Sequence, residues 1–237
     1  MRYVMPVRVR YSDTNRDGFM NLHKILECFQ DCCIFQSESL GYKVKDELDR
    51  DRGWFLLAWN VEIERFPSLG EELQIITEPY KMKGFYGYRR FMIIDSDSRT
   101  LASADSLWLL MDLRKKIPQR VPADMINAYI TDVEDDTVRV KRKLETEGAW
   151  IPKEKIPITR HFLDTNSHVN NVFYGMWAEE HLPEGFPVQK IMIDYRQSSY
   201  EDDVITIDTI QEEDRVRCRF RNQDDILLAL VEFWRKV

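Results

Sequence analysis

Residues 164–174 read Asp-Thr-Asn-Ser-His-Val-Asn-Asn-Val-Phe-Tyr, and this stretch guides the interpretation of the whole chain. It brings a carboxylate (Asp164), an amide (Asn166) and an imidazole (His168) within five residues. A β-patterned run precedes it and an apolar helical run follows, so the cluster lies where a strand gives way to a helix. Helix N-termini offer unpaired N–H donors and a positive dipole end. The stretch is therefore either a catalytic site or an ordinary helix cap, since Asp, Asn and Ser are common capping residues.

Apolar residues recur at helical spacing after this stretch and once more near the N-terminus. The later helix is predicted to start near Asn170 and to be bounded by Pro183. The earlier helix is predicted to run from about Asn21 to Leu40, because Gly41 is a typical C-terminal stop. The apolar stripes consist of Leu22, Ile25, Leu26, Phe29 and Cys33 in the first helix, and Val172, Phe173, Met176 and Trp177 in the second.

Runs rich in Val, Ile, Thr and aromatic residues follow each predicted helix and indicate strands. After the first helix they are Trp59–Ile63, Leu73–Thr77, Tyr86–Ile94 and Leu101–Met111; after the second they are Ile191–Tyr195, Val204–Ile210, Val216–Phe220 and Leu227–Trp234. A short strand is also predicted before each helix, at Val7–Tyr11 and Ile156–His161. The pattern of strand, helix and four strands thus occurs twice, which indicates a duplicated domain.

Four residue pairs align the two copies, with an offset that falls from 151 to 126 positions; they are Asp13 with Asp164, Gly18 with Ser167, Gly70 with Glu201, and Trp108 with Trp234. The turn residues 95–98 and 222–225 match as hairpin loops. We therefore expect an α+β protein with an N-terminal domain at 1–130, a charged linker at 131–150 and a C-terminal domain at 151–237. Each domain is predicted to wrap an antiparallel sheet around one long helix, and the two are expected to pack side by side and join their sheets.

Composition excludes several classes of protein. The chain has 237 residues, 43% of them hydrophobic, and a net charge of −7, which disfavours a nucleic-acid binder. No apolar run approaches the roughly 20 residues of a membrane helix, and the start lacks a signal-peptide core. The four cysteines have no metal-ligand spacing, so we expect reduced thiols in a cytoplasmic protein. No zinc set, phosphate loop or dinucleotide fingerprint is present, and no metal or cofactor is expected.

The stretch 164–174 resembles the D-x-N-x-H-V-N-N-x-x-Y signature of the acyl-ACP thioesterases. Residues 11–15 and 18–21 resemble the helix-entry loop of the first domain of such proteins. Residues 108–112, followed by Arg114-Lys115-Lys116, resemble the end of that domain. The resemblance spans nearly the whole chain. It implies two tandem hotdog domains that form an internal pseudo-dimer, and hydrolysis of fatty acyl-ACP to free fatty acid and carrier.

Carried over by position, the family's catalytic residues fall on Asp164, Asn166 and His168. The resemblance leaves open whether Asp164 or a water molecule attacks the thioester. The first copy has Phe19 at the place of His168, so we expect it to be catalytically silent and to shape the acyl channel.

The family's Glu-Cys pair falls on Ser198 and Ser199, so a Cys-His-Asn mechanism is excluded. Three interpretations of this departure are open. Glu201 replaces the missing carboxylate through a strand bulge, the two serines hold the water, or they form an ordinary strand-end turn.

The implied partner is an acidic acyl carrier protein, which requires a basic docking patch. Three sets of residues are candidates: Arg114-Lys115-Lys116 with Arg120; Arg139, Lys141, Arg142 and Lys143; and Lys81, Lys83, Arg89 and Arg90. The alternatives are an acyl-CoA thioesterase, an enoyl-thioester hydratase and a non-catalytic acyl-thioester binder. His168 follows Asp164 by four positions, whereas those hydratases place it five positions on, after a proline. A monomer or a homodimer is expected, with no nucleic acid or membrane partner.

Overall fold

The computed structural model describes residues 1–130, 139–140 and 142–235. The chain divides into two compact units: unit 1 comprises Met1–Leu57 and Ile63–Val140, and unit 2 comprises Ala58–Glu62 and Lys141–Val237. Ala58–Glu62, which the sequence assigns to the first copy, therefore groups with the second unit. Of the linker expected at 131–150, residues 131–138 and 141 lie outside the described residues.

The elements of unit 1 follow the predicted order of strand, helix and strands. In chain order they are β1 Tyr3–Arg8, α1 Leu22–Ser39, α2 Val44–Asp49, β2 Arg52–Ile63, β3 Glu72–Lys83, β4 Tyr86–Ile94, β5 Thr100–Asp112, β6 Ile117–Pro118 and α3 Ala123–Tyr129. Strands β1, β3, β4 and β5 lie side by side and antiparallel, and β6 pairs with the end of β5.

Helix α1 forms the core of unit 1 and confirms the predicted helix. All five residues of its predicted stripe are buried. The helix packs on β3 and β1, and the Phe29 ring lies 5.1 Å from the Phe91 ring of β4. A fully buried apolar side chain stabilises the fold by about 1.5–3 kcal/mol, so this stripe holds the helix against the sheet.

Unit 2 repeats the pattern with a shorter helix. Its elements are β7 Ile151–Pro157, α4 Val172–Glu179, β8 Val188–Tyr195, β9 Val204–Gln211, β10 Arg215–Arg221 and β11 Leu227–Arg235. The sheet order is the Ala58–Glu62 segment of β2, then β8, β11, β10, β9 and β7, and all neighbours are antiparallel.

The expectation of a long second helix is wrong, because α4 has only eight residues. The N–H groups of His181 and Leu182 donate to carbonyls three residues back, so the chain tightens into a turn before Pro183. The helix is held by aromatic contacts. The rings of Tyr174 and Trp177 lie 5.2 and 6.4 Å from the ring of Phe220 on β10.

The strand predictions are confirmed in order, with differences at the ends. Tyr11 and His161 lie in 3₁₀ turns rather than in strands, because β1 and β7 end at Arg8 and Pro157. Strand β3 continues past the predicted end through a bulge between Pro79 and Lys81, where proline is tolerated. Helices α2 and α3 and the two-residue β6 are not predicted from the sequence.

Within the described residues, no helix has the length and apolarity needed to cross a membrane. The same part of the chain contains no group of three or more His, Cys, Asp or Glu side chains placed to hold a metal ion. All four cysteines are free thiols.

Candidate active site

The chain between β7 and α4 forms a closed loop that carries the three candidate catalytic residues. The Asp164 N–H donates to the His168 carbonyl over 2.7 Å, and the Ser167 N–H donates to the Asp164 carbonyl over 3.0 Å. Leu163 and Val169 pair as an isolated bridge across the base of the loop. Ser167 adopts the left-handed conformation with φ 59°, so the chain reverses over a few residues. These bonds hold Asp164 and His168 at the two ends of one turn.

The Asp164 carboxylate organises this loop from inside. Its Oδ1 atom accepts the N–H of Asn166 at 2.7 Å and the N–H of His168 at 3.2 Å. Its Oδ2 atom lies 3.4 Å from Asn166 Nδ2. All three side chains are half-buried. The structure thus places Asp164, Asn166 and His168 together, with Oδ2 as the carboxylate oxygen less engaged by the loop.

The His168 imidazole and the Tyr200 ring pack in a T-shaped arrangement, with ring centroids 5.0 Å apart and planes at 85°. Burial lowers the pKa of His168 below its ordinary value, and the Asp164 carboxylate acts in the opposite direction. The net effect favours a neutral imidazole at physiological pH, which is the form that accepts a proton.

Ser198, Ser199 and Glu201 lie in the turn that follows β8, because that strand ends at Tyr195. Ser199 is completely buried, and its hydroxyl donates to Asp203 Oδ2 over 2.7 Å. The Ser199 carbonyl accepts the Val169 N–H at 2.9 Å, so this turn is joined to the site loop. Ser198 is half-buried, and Glu201 is exposed in the turn with its neighbour Asp202. For Ser199 the strand-end turn is the interpretation that fits its hydrogen bonds.

Asp203 is a site residue that sequence reasoning missed, since no motif marks it. Its Oδ2 atom also accepts the Tyr200 N–H at 2.8 Å, and its Oδ1 atom accepts from Gln223 at 3.0 Å. Burial raises the pKa of Asp203, but the bonds from Gln223, Tyr200 and Ser199 outweigh burial and hold it below its ordinary value. A charged carboxylate therefore fixes the turn that carries Tyr200.

Unit 1 contains a loop with the same hydrogen bonds. The Asn15 N–H donates to the Phe19 carbonyl over 2.8 Å, and the Gly18 N–H donates to the Asn15 carbonyl over 3.1 Å. Asn15 Oδ1 accepts the N–H groups of Asp17 and Phe19. The residue equivalent to Asp164 is therefore Asn15, and the pairing of Asp13 with Asp164 is wrong. Phe19, 43% exposed, occupies the place of His168, as the sequence predicts.

The turn after the second strand of each unit also matches, with an offset of 132 positions. The Ser68 N–H donates to Glu71 Oε2, as the Tyr200 N–H donates to Asp203 Oδ2. Gly70 and Asp202 both have positive φ, at 80° and 68°. Gly70 thus corresponds to Asp202, one residue beyond the predicted Glu201, and Ser68 corresponds to Tyr200.

The three predicted basic sets differ in exposure. Arg114, Lys115, Lys116 and Arg120 are all exposed beside the short β5–β6 connection. Lys81 and Arg89 are buried, and Arg89 donates to Thr77 and Gln36, so the set containing them is wrong as a surface patch. In the remaining set, the Arg142 guanidinium lies 3.7 Å from buried Asp194, and Lys141 is outside the described residues.

Comparison with known proteins identifies the family. Residues 1–129 match the model of the acyl-ACP thioesterase N-terminal domain, and residues 152–231 match that of the C-terminal domain. The chain is 26% identical to a chloroplastic acyl-[acyl-carrier-protein] hydrolase of Cuphea viscosissima, over 96% of this chain and 61% of that protein. It is 28% identical to the chloroplastic dodecanoyl-[acyl-carrier-protein] hydrolase of Umbellularia californica, over 83% and 56%. The chain therefore spans about three fifths of the length of these curated relatives.

Two solved structures resemble the chain over its length. An acyl-ACP thioesterase from Bacteroides thetaiotaomicron has a TM-score of 0.87 at 15% identity and covers 99% of this chain and 98% of that one. The 12:0-ACP thioesterase from Umbellularia californica has a TM-score of 0.83 at 19% identity, over 99% and 97%. These likenesses confirm the predicted α+β fold of two tandem hotdog domains. The two domain models, which match residues 1–129 and 152–231, show that the chain belongs to the acyl-ACP thioesterase family.

Proposed function

We propose that this protein hydrolyses fatty acyl-ACP thioesters to free fatty acid and carrier, with Asp164, Asn166 and His168 as the reacting constellation. The observation that carries the proposal is the closed loop in unit 2. It contains the Asp164 carboxylate and the His168 imidazole, whose lowered pKa favours the neutral form. The relatives named as acyl-ACP hydrolases support the choice of substrate.

His168 is the proton carrier in this scheme. In the loops 164–171 and 196–203 it is the single imidazole, and the Ser199 hydroxyl is engaged by Asp203. His168 takes a proton from a water molecule while the water oxygen bonds to the thioester carbonyl carbon. When the C–S bond breaks, the imidazolium returns the proton to the leaving thiolate. The products are a carboxylic acid and a thiol, so atoms and charge balance without a cofactor.

In this scheme Asp164 and Asn166 stabilise the charges that develop during the reaction. The Asp164 carboxylate stabilises the imidazolium formed in the reaction, which agrees with its effect on the pKa of His168. Attack by Asp164 Oδ2 on the thioester is the alternative route, and it leaves the two bonds to Oδ1 intact. Asn166 Nδ2 carries two hydrogens, and the one not directed at Asp164 is suited to the developing oxyanion.

The test is thiol release from acyl-ACPs of increasing chain length, with matched acyl-CoAs and an Asp164→Asn control. Turnover on acyl-ACP that the variant loses supports the proposal. If kcat/KM is higher for acyl-CoA than for acyl-ACP, the substrate is an acyl-CoA thioester and the carrier part of the proposal is wrong. Hydration of an enoyl thioester without hydrolysis indicates a hydratase, and tight binding without turnover indicates a binder.

The carrier is proposed to dock at the exposed basic connection formed by Arg114, Lys115 and Lys116. An acidic partner is attracted by such a patch, and attraction of this kind weakens with salt. The double variant Lys115→Glu/Lys116→Glu should raise KM for acyl-ACP and leave a neutral acyl-pantetheine thioester unaffected. Lys153→Glu/Lys155→Glu on exposed β7 changes the net charge equally and is the control. Equal losses in both variants would show that only net charge matters.

We also propose a reducing, cytoplasmic setting, which the four free thiols support. Burial raises the pKa of Cys28, Cys32 and Cys218 to about 12, which keeps these thiols protonated and unreactive.

A further inference from the structure

The aromatic contact of His168 is not repeated at the corresponding positions of unit 1, Phe19 and Ser68, both of which lie in the described part of the chain. There, the isolated bridge pairs Phe19 with Ser68, and these two positions correspond to His168 and Tyr200. The Ser68 and Tyr200 N–H groups each donate to a carboxylate three residues ahead, so the turn of unit 1 forms with a small residue at this position. Of the two turns, the one in unit 2 carries an aromatic residue, Tyr200, and it lies against the imidazole. The comparison with Ser68 indicates that the turn does not need an aromatic side chain to form.

Tyr200 is held by its backbone and remains partly open to solvent. The Asp203 carboxylate accepts both the Tyr200 N–H and the Ser199 hydroxyl, and the Ser199 carbonyl accepts the Val169 N–H. Val169 follows His168 directly in the chain. The side chain of Tyr200 is nevertheless 53% exposed, so its ring is not part of the unit 2 core. A large ring that is fixed at its base and packed at a right angle to an imidazole, 5.0 Å away, restricts the positions that the imidazole can adopt.

From this geometry we infer that Tyr200 is a positioning residue, whose ring holds the His168 imidazole in its reactive orientation on a base fixed by Ser199 and Asp203. The inference rests on the proposed thioesterase function. The ring acts by shape and contact, and its hydroxyl takes no part in the reaction. It also shields one side of the imidazole from water and so contributes to the burial that lowers the pKa of His168.

The experiment compares Tyr200→Ala, Tyr200→Phe and the control Tyr11→Ala, a tyrosine 84% exposed in unit 1. Tyr200→Ala should lower kcat for acyl-ACP by about 10- to 100-fold with little change in KM, because a small misplacement of a reacting group has an effect of that size. Tyr200→Phe should keep wild-type kcat, and Tyr11→Ala should be indistinguishable from wild type.

A second readout is independent of activity. The pKa of His168, followed by NMR titration of its ring proton, should rise towards the ordinary value in Tyr200→Ala and stay unchanged in Tyr200→Phe.

The outcomes separate the two proposals. If the wild type hydrolyses no thioester, the proposed function fails, whereas the titration still tests the contact. If the wild type is active and Tyr200→Ala leaves kcat and the pKa of His168 unchanged, the positioning role is overturned alone. An equal loss in Tyr200→Phe would assign the effect to the hydroxyl, and a rise in KM alone would make Tyr200 a substrate contact; each result contradicts the inference.

Discussion

Asn15 and Asp164 occupy the same place in two loops with the same hydrogen bonds, one in each unit. Each side-chain Oδ1 accepts two backbone N–H groups, from the residues two and four positions ahead. In the hairpin turns the same two hydrogen bonds are accepted by Asp95 in unit 1 and by Asn222 in unit 2, so here the carboxylate is in unit 1 and the amide in unit 2. An amide oxygen therefore closes these loops as well as a carboxylate oxygen. The charge of Asp164 is not needed for the loop, which supports its assignment to chemistry.

Replacing Asp164 with Asn should separate structure from catalysis. The acceptor oxygen is retained, so we expect a melting temperature close to that of the wild type. Thiol release from acyl-ACP should fall by at least about 100-fold, because the negative charge is lost. The reciprocal variant Asn15→Asp serves as the control and should keep full activity. Wild-type turnover in Asp164→Asn would remove Asp164 from the site.

The acid limb of the pH profile should report His168. Only the neutral imidazole accepts a proton, so kcat/KM should be lost as pH falls through the pKa of His168. Because burial lowers that pKa, the limb should lie below the ordinary value of about 6.5. In Asp164→Asn the pKa measured by NMR should fall further, since the raising effect of the carboxylate is gone. A limb above 6.5, or a rise in the variant, would contradict this description of the site.

Asp194 of β8 should be important for stability rather than for chemistry. It is completely buried, and its Oδ2 atom accepts the N–H groups of Lys143 and Leu144 at 3.0 and 3.1 Å. Leu144 in turn packs on Met192 and Leu230. Asp194→Ala leaves two N–H groups without their acceptor, and we expect a loss of about 2–4 kcal/mol in the free energy of unfolding.

Urea denaturation measures that loss, with Asp214→Ala at an exposed turn as the control. A change below about 0.5 kcal/mol in Asp194→Ala, equal to that of a surface substitution, would show that water replaces the carboxylate without cost.

The sequence predicts the order of elements and the cluster of Asp164, Asn166 and His168, because periodicity and the motif at 164–174 are local signals. The sequence alignment of the two copies is wrong at Asp164, because it pairs this residue with Asp13. Asp13 and Asp164 are the same residue type, but Asp13 forms an ion pair with Arg10. The residue whose side chain closes the loop in unit 1 is Asn15. Only hydrogen bonds reveal this, since Asp and Asn accept equally well. The contact between His168 and Tyr200 is likewise not predictable from the sequence, because the two residues lie 32 positions apart and no motif links them.

Ser199 provides the last test, because its position in the sequence resembles that of a reacting group and its surroundings do not. The hydroxyl is completely buried and donates to Asp203 Oδ2 over 2.7 Å. In Ser199→Ala that bond is lost, so the free energy of unfolding should fall by about 1 kcal/mol. Turnover on acyl-ACP should stay within about tenfold of wild type, since the Tyr200 N–H still anchors the turn and the lost hydroxyl serves Asp203. Denaturation and thiol release measure the two effects, with exposed Ser96→Ala as the control. A loss of about 1,000-fold with an intact fold would instead give Ser199 the role of a nucleophile or water-binding group, because removal of such a group costs that much.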